Sequence, residues 1–367
     1  MTPKLRSHKF AIALISTLAC SLMIGCGSEP TTSTNVTTQS AANSTATANN
    51  PQELKTVRVS LSWLLQGVDA PLMIAMSKGY FQEEGIEVQW ERGFGNADTI
   101  TKLGAGQYDI GFSDMYNMLE FNDKNPNEKL VAIAVAFNKA PFSILTLKKS
   151  GIEKPEDLVG KTLGSPAGDG PRRLWPLFAK QVGIDPDSVT WTTMDPKLRE
   201  TFLVTEEVNA ISGFSTSALP NIKKSGVKLE DVNVFYYGDY GLDMYGNAIL
   251  IRQAFLDRNP EVARGFVRAY LRGLKDTIEN PEAALEVVKA AGDNLIDMEA
   301  EKLRLEIALE KLMVNAETQA NGLGSVDPKR LEETIRLTVE GFNLSRQPAL
   351  SEVFDDRFLP PKEERSL

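Results

Sequence analysis

Histidine and cysteine are almost missing from this 367-residue chain: the one histidine is His8, and the two cysteines are Cys20 and Cys26. Past residue 26 no side chain can act as an imidazole base or a thiol. That excludes Ser-His-Asp and Cys-His nucleophilic sites, His- or Cys-ligated zinc, and any disulfide in the folded part. No G-x-x-x-x-G-K-S/T motif occurs, and "FGNADT" has too few glycines for a dinucleotide fingerprint. Basic clusters are also scarce. The formal net charge is -9, and pairs such as Lys148-Lys149 and Lys223-Lys224 stand alone. They read as solvated faces, and a nucleic-acid partner is not expected. Carboxylates are plentiful, but Asp69, Asp114 and Asp169 lie on separate loops, so neither a metal nor a cofactor is expected.

What is present begins with a bipartite N-terminus. Lys4, Arg6 and Lys9 precede "FAIALISTLACSLMIG" (10–25), an uncharged run too short to span a bilayer and of the length of a secretory signal. It ends in "LMIGCGSE", where Gly25-Cys26 resembles the lipobox of bacterial lipoproteins, with Met23 where leucine is usual. Residues 1–25 are therefore read as a signal peptide and Cys26 as its acylated product, with Cys20 after "TLA" as a weaker competitor and a plain signal peptide or a lone membrane anchor as the alternative reading. Residues 26–53 contain no aromatic residue and few large apolar ones. Such a segment cannot bury enough surface to offset the entropy of folding, and it reads as a tether. An extracytoplasmic protein anchored to a membrane by lipid follows from these two segments.

The body alternates between β-branched runs and amphipathic stretches. "TVRVSLS" (56–62), "IEVQWE" (86–91) and "YDIGFS" (108–113) read as strands separated by helices. A second alternating set follows, and after "GNAILIRQ" (246–253) the pattern turns helical. Alternation of this kind predicts parallel sheets with helices on both faces. The late strand predicts two lobes joined by two crossings, near 142–149 and 243–252. Lobe one is assigned to 54–145 and 246–345, lobe two to 146–245, and a tail to 346–367. The C-terminal helices are expected to pack back on lobe one.

"GYFQEEGIEVQW" (79–90), "GFGNADTITKLGAGQYDIGFSD" (93–114) and "PEDLVGKTLGSPAG" (155–168) resemble the solute-binding proteins of ABC importers. The branch they resemble serves nitrate, sulfonates, taurine and the pyrimidine precursors of thiamine. The similarity runs over roughly residues 56–345. Departures are Gly104, where the family often has alanine, and Asn209, where it usually has aspartate. The resemblance implies an α/β fold, a two-lobed periplasmic-binding-protein type II clamp with mostly parallel sheets, that closes on a small polar solute. It further implies an ABC permease and its ATPase as partners, a monomeric state and no catalysis. Two other functions are kept: a ligand-sensing ectodomain, and an enzyme like the fungal pyrimidine synthases, whose histidine and cysteine-rich motif this chain lacks past residue 26.

In open α/β sheets, ligands sit beyond the carboxyl ends of strands, beside helix N-termini. That rule selects Trp63, Gln66 and Asp69 after the first strand, Gly95 and Asn96 after the second, and Ser113, Asp114 and Asn117 after the third. In lobe two it selects Asp169 and Arg172 within "GSPAGDGPRRLWP" (164–176), Phe214 and Ser215, and Tyr237 and Tyr245. Asn96 and Asp114 are each placed to cap a helix. Trp63 could stack on a ring. Asp114 and Asp169 could accept from an amine, and Arg172 could meet an anion. An aminopyrimidine-like heterocycle and a small sulfonate, carboxylate or nitrate-type anion both remain open. Pro176 predicts a kink or a helix restart. Replacing Cys26 with serine should move the protein from the membrane fraction to the soluble fraction; membrane association with unchanged mobility would refute the lipid anchor.

Overall fold

The computed structural model describes residues 54–292 and 296–367; the signal, the tether and Cys26 lie outside them. Ten strands form two five-stranded sheets of the same design. The first contains β1 (Lys55–Ser60), β2 (Ile86–Glu91), β3 (Ile110–Asp114), β4 (Leu130–Val135) and β10 (Asn247–Arg252), in the order β2-β1-β3-β10-β4. The second contains β5 (Phe142–Leu147), β6 (Thr162–Ser165), β7 (Thr190–Thr193), β8 (Ala210–Phe214) and β9 (Val232–Tyr236), in the order β7-β6-β8-β5-β9. Each sheet is mixed rather than mostly parallel. β1 runs parallel to β2 and β3, and β6 to β7 and β8. β10 runs antiparallel to β3 and β4, and β5 to β8 and β9.

The reversed strand in each sheet is the one that arrives from the other lobe. β4 ends at the cleft and the chain crosses to β5; β9 ends at the cleft and the chain returns to β10. A strand that enters its sheet from the cleft must run against neighbours whose carboxyl ends face the cleft. The first crossing therefore spans 136–141, upstream of the expected 142–149, and β5 lies wholly in the second sheet rather than being cut at residue 145.

The helices that position the cleft are α1 (Ala70–Ser77), α2 (Asn96–Gly104), α3 (Met115–Lys124), α4 (Gly170–Gln181) and α5 (Ser215–Lys224). Three more from the C-terminal part are used below: α6 (Pro260–Glu279), α7 (Met298–Ile307) and α8 (Pro328–Phe342). α6 seals the first core: Phe266, Tyr270 and Leu274 pack with Val57, Val59 and Leu61 of β1 and its end. Full burial of each such side chain contributes about 1.5–3 kcal/mol. The C-terminal helices are not confined to lobe one. α8 places Leu331 and Ile335 against lobe one, and Leu337 and Phe342 in the lobe-two core with Phe178 and Tyr237. The tail also belongs to the fold, with Val353, Phe354 and Phe358 buried and Phe354 bridging to Ala132. Among the described residues no helix is long and apolar enough to cross a membrane.

The two crossings are bonded to each other. Ala140 N–H donates to Met244 O at 2.9 Å, Gly246 N–H to Phe137 O at 3.0 Å, and Phe137 N–H to Asn247 O at 2.8 Å. Arg330 of α8 then clasps both. Its guanidinium donates to Asn138 O and Oδ1, each at 2.6 Å, on the first crossing, and to Asp243 Oδ1 at 2.8 Å on the second. It also pairs with Glu317 at 3.1 Å and lies over the Tyr245 ring. Removing one member of a largely buried charge network leaves the rest uncompensated, typically at about 3–5 kcal/mol. Arg330→Met should therefore lose about 3 kcal/mol in urea unfolding; a loss within the error of surface substitutions would show that the clasp contributes nothing.

Candidate functional site

Between the sheets lies a cavity of about 210 Å³. Lobe one supplies Trp63, Gln66 and Asp69 after β1, Gly95 and Asn96 after β2, Asp114 at the end of β3, and Asn247 at the start of β10. Lobe two supplies Phe214, Thr216 and Ser217 from the end of β8 and the start of α5. Phe112, Phe137 and Tyr270 add aromatic wall, so five rings face the space in all, counting Trp63 and Phe214.

The loop after β1 and the loop after β2 hold each other. Gly93 N–H donates to Trp63 O and Gly95 N–H to Ser62 O, each at 2.9 Å. Gly95 adopts φ +115°, which only glycine takes without strain, and it occupies the cap position before α2. Asn96 is thus the first helical residue, not the cap. Its side chain is free to turn to Asp114, and Nδ2 donates to Oδ2 at 2.6 Å. Asp114 precedes α3 but makes no capping bond. It is 1 % exposed, and its Oδ1 has no hydrogen-bond partner; nor has Asn96 Oδ1. Among the described residues nothing donates to these two buried oxygens, and both residues line the cavity.

Both cavity carboxyls resist ionisation. Loss of water around it pushes Asp114 up to about 7. Burial likewise pushes Asp69 up to about 7, against the N–H of Gln66, which donates to it at 2.8 Å. Glu301 behind the wall adds to that rise and Arg304 opposes it. None of the described residues lining the cavity is a lysine or an arginine.

Several expected site residues lie elsewhere. Ser113 is fully buried and donates to Asn96 O at 3.2 Å, supporting the floor from behind. Asn117 and Ser215 border the region without lining it, and Asn117 Oδ1 and Ser215 Oγ find no protein partner. Asp169 caps α4 and accepts from Ser212 at 2.9 Å; burial raises its pKa, and Arg199 at 3.7 Å opposes this. α4 then runs unbroken through Pro176.

Arg172 turns from the cavity to Ser165 O at 2.9 Å and Thr193 Oγ1 at 3.0 Å, against the Trp191 ring. The neighbouring Arg173 spans the lobes in a two-bond pair with Glu120 of α3, at 2.9 and 3.0 Å, and holds that carboxyl below its usual range. The arginine loop is thus spent on protein contacts rather than on an anion. Tyr237 stacks on Phe178 at 4.2 Å and donates to Pro171 O, as a core residue of lobe two. Tyr245 is buried at the crossing and donates to Glu317 at 2.6 Å. Thr216 and Ser217 fall in the stretch "GFSTS" (213–217) that follows a strand, whereas Asn247, Phe137 and Tyr270 were not anticipated. Asn247 and Phe137 flank the crossings, which is a usable signal; Tyr270 sits within a C-terminal helix whose contact with the cleft no local pattern reveals.

The model of the family described as "NMT1/THI5 like" matches residues 67–284. The chain belongs to that family. It is 27% identical over 313 residues to the formylaminopyrimidine-binding protein of Halalkalibacterium halodurans, covering 84% of this chain and 92% of that one. It is 26% identical over 331 residues to the riboflavin-binding protein RibY of Chloroflexus aurantiacus, covering 88% and 92%. Among solved structures, the periplasmic aliphatic sulphonate binding protein SsuA of Escherichia coli superposes with a TM-score of 0.63 at 15% identity, covering 81% of this chain and 96% of that chain. The fold is that of the two-lobed periplasmic binding proteins.

A carboxyl whose native pKa lies above its unfolded value of about 4 keeps its proton longer when folded. Between about pH 4 and pH 7 the native state then binds more protons, so the stability tied to Asp69 and Asp114 declines as pH rises through that window. Asp114→Asn removes one such group. The melting temperature of the unliganded variant minus that of the parent should increase from pH 5 to pH 8. A difference independent of pH would mean that Asp114 is ionised throughout.

Proposed function

We propose that this protein is the solute-binding component of an ABC importer, held outside the cytoplasm by lipid on Cys26, and that its solute is a small flat heterocycle bearing N–H donors. The observation that carries the solute class is the cavity floor: Asp114 Oδ1 and Asn96 Oδ1 are buried acceptors with no protein partner. Aromatic walls supply faces for a ring. An aminopyrimidine offers both a ring and amino hydrogens. A nitrate or sulfonate would meet two carboxyls and no lining cation, so the anion reading is the weaker one. The two relatives above are both named as binding proteins. Among the described residues none that lines the cavity is a histidine or a cysteine, which supports capture without chemistry rather than synthesis.

Trp63 is 45 % exposed at the cleft and can close over a bound ring. Calorimetry with formylaminopyrimidine, riboflavin, nitrate and a short alkanesulfonate tests the reading. Formylaminopyrimidine is expected to bind and the two anions are not. Trp63→Ala should weaken that binding by about 1–3 kcal/mol, the scale of aromatic stacking on a base, with little change in melting temperature. Tight nitrate or sulfonate binding would overturn the solute class.

A further inference from the structure

Behind the cavity wall, helix α7 carries an ion pair that touches both lobes. Glu301 Oε2 accepts the backbone N–H of Gly67 at 2.7 Å and pairs with Arg304 Nε at 3.0 Å. Arg304 Nη1 donates to the carbonyl of Thr216. Glu301 and Arg304 are 7 % and 6 % exposed. Gly67 sits in the lobe-one turn between Gln66 and Asp69, and Thr216 opens α5 in lobe two; Gln66, Asp69 and Thr216 all line the cavity. The turn is pressed onto the helix, since a Cβ built on Gly67 would meet Glu301 O at 2.4 Å. Neither Glu301 nor Arg304 lines the cavity, and neither belongs to a motif visible in the sequence.

We propose that Glu301 and Arg304 are positioning residues for solute binding: the pair clamps the Gln66–Asp69 turn of lobe one and the Thr216 turn of lobe two into the single geometry in which both face the same solute. A buried ion pair is an expensive way to gain stability alone, because desolvating two charges offsets most of their attraction. What it supplies is direction. Glu301 accepts from Gly67 while paired with Arg304, and the same guanidinium donates to the Thr216 carbonyl, so one pair touches both walls. Each lobe's wall is thereby referred to one rigid helix rather than only to the crossings on the far side of the cleft. The inference rests on the reading of this cavity as the solute site.

The test uses the full chain. Arg304→Met alone would leave Glu301 charged and unpartnered, so the main variant is Glu301→Gln with Arg304→Met, which leaves no lone charge; Arg304→Lys serves as the conservative replacement. Hydrogen exchange of the unliganded protein is followed in segments 66–69 and 214–217, and formylaminopyrimidine binding is followed by calorimetry. The double variant should exchange faster in both segments and bind at least tenfold more weakly, with Arg304→Lys intermediate in both. Unchanged exchange in either segment overturns the clamp, whatever binds. Faster exchange with unchanged affinity overturns the positioning role. If the parent protein fails to bind the pyrimidine, the solute reading falls, while faster exchange in both segments still supports the clamp as the device that holds the walls.

Discussion

The cavity depends on one constraint: the chain passes between its two sheets twice, at the same place. Those passages reverse one strand in each sheet, since a strand delivered from the cleft must run against its neighbours. They also make β4 and β10 in one lobe, and β5 and β9 in the other, the parts of each sheet nearest the junction. The outer strands β1, β2, β6 and β7 carry the loops farthest from it. Arg330 matters because it bonds to both passages and to neither sheet, so the angle between the lobes is referred to α8. Phe342 at the end of the same helix lies in the lobe-two core, and Leu331 near its start lies against lobe one.

Within that frame the cavity has an electrostatic character its relatives' names do not reveal. Burial raises both of its carboxyls, Asp69 and Asp114, to about 7. Asp114 Oδ1 and Asn96 Oδ1 are buried, and no described residue donates to either. Asn96 contributes by not capping its helix: Gly95 takes that position, and the amide is released to orient Asp114.

The glycine- and arginine-rich loop before α4 shows where local pattern misleads. Its composition is that of an anion cradle, yet Asp169 is bonded to Ser212, Arg172 is turned to Ser165 and Thr193, and Arg173 crosses to Glu120. Apart from Ser165, which belongs to the same loop, each partner comes from a distant part of the chain. An arginine beside a helix start is drawn to whatever acceptor the tertiary fold places there: a carbonyl and a hydroxyl for Arg172, one carboxylate for Arg173.

The alternation of strand and helix, the late return of "NAILIR", and the rule that ligands collect at the carboxyl ends of strands were all properties of the sequence itself. They picked out Trp63, Gln66, Asp69, Gly95, Asn96, Asp114 and Phe214, all of which line the cavity, because each lies at a strand end or in the loop that follows one. The sequence also excluded thiol and imidazole chemistry past residue 26 by composition alone. Which strand-end residues share one cavity was decided only by the tertiary structure. Tyr237 directly follows β9 and Tyr245 lies two residues before β10, but side chains there turn to core or cleft according to what packs behind them. Tyr270, Glu301 and Arg304 come from helices far along the chain, whose approach to the cleft depends on how α6 and α7 dock, and docking is set by long-range packing that no local pattern encodes.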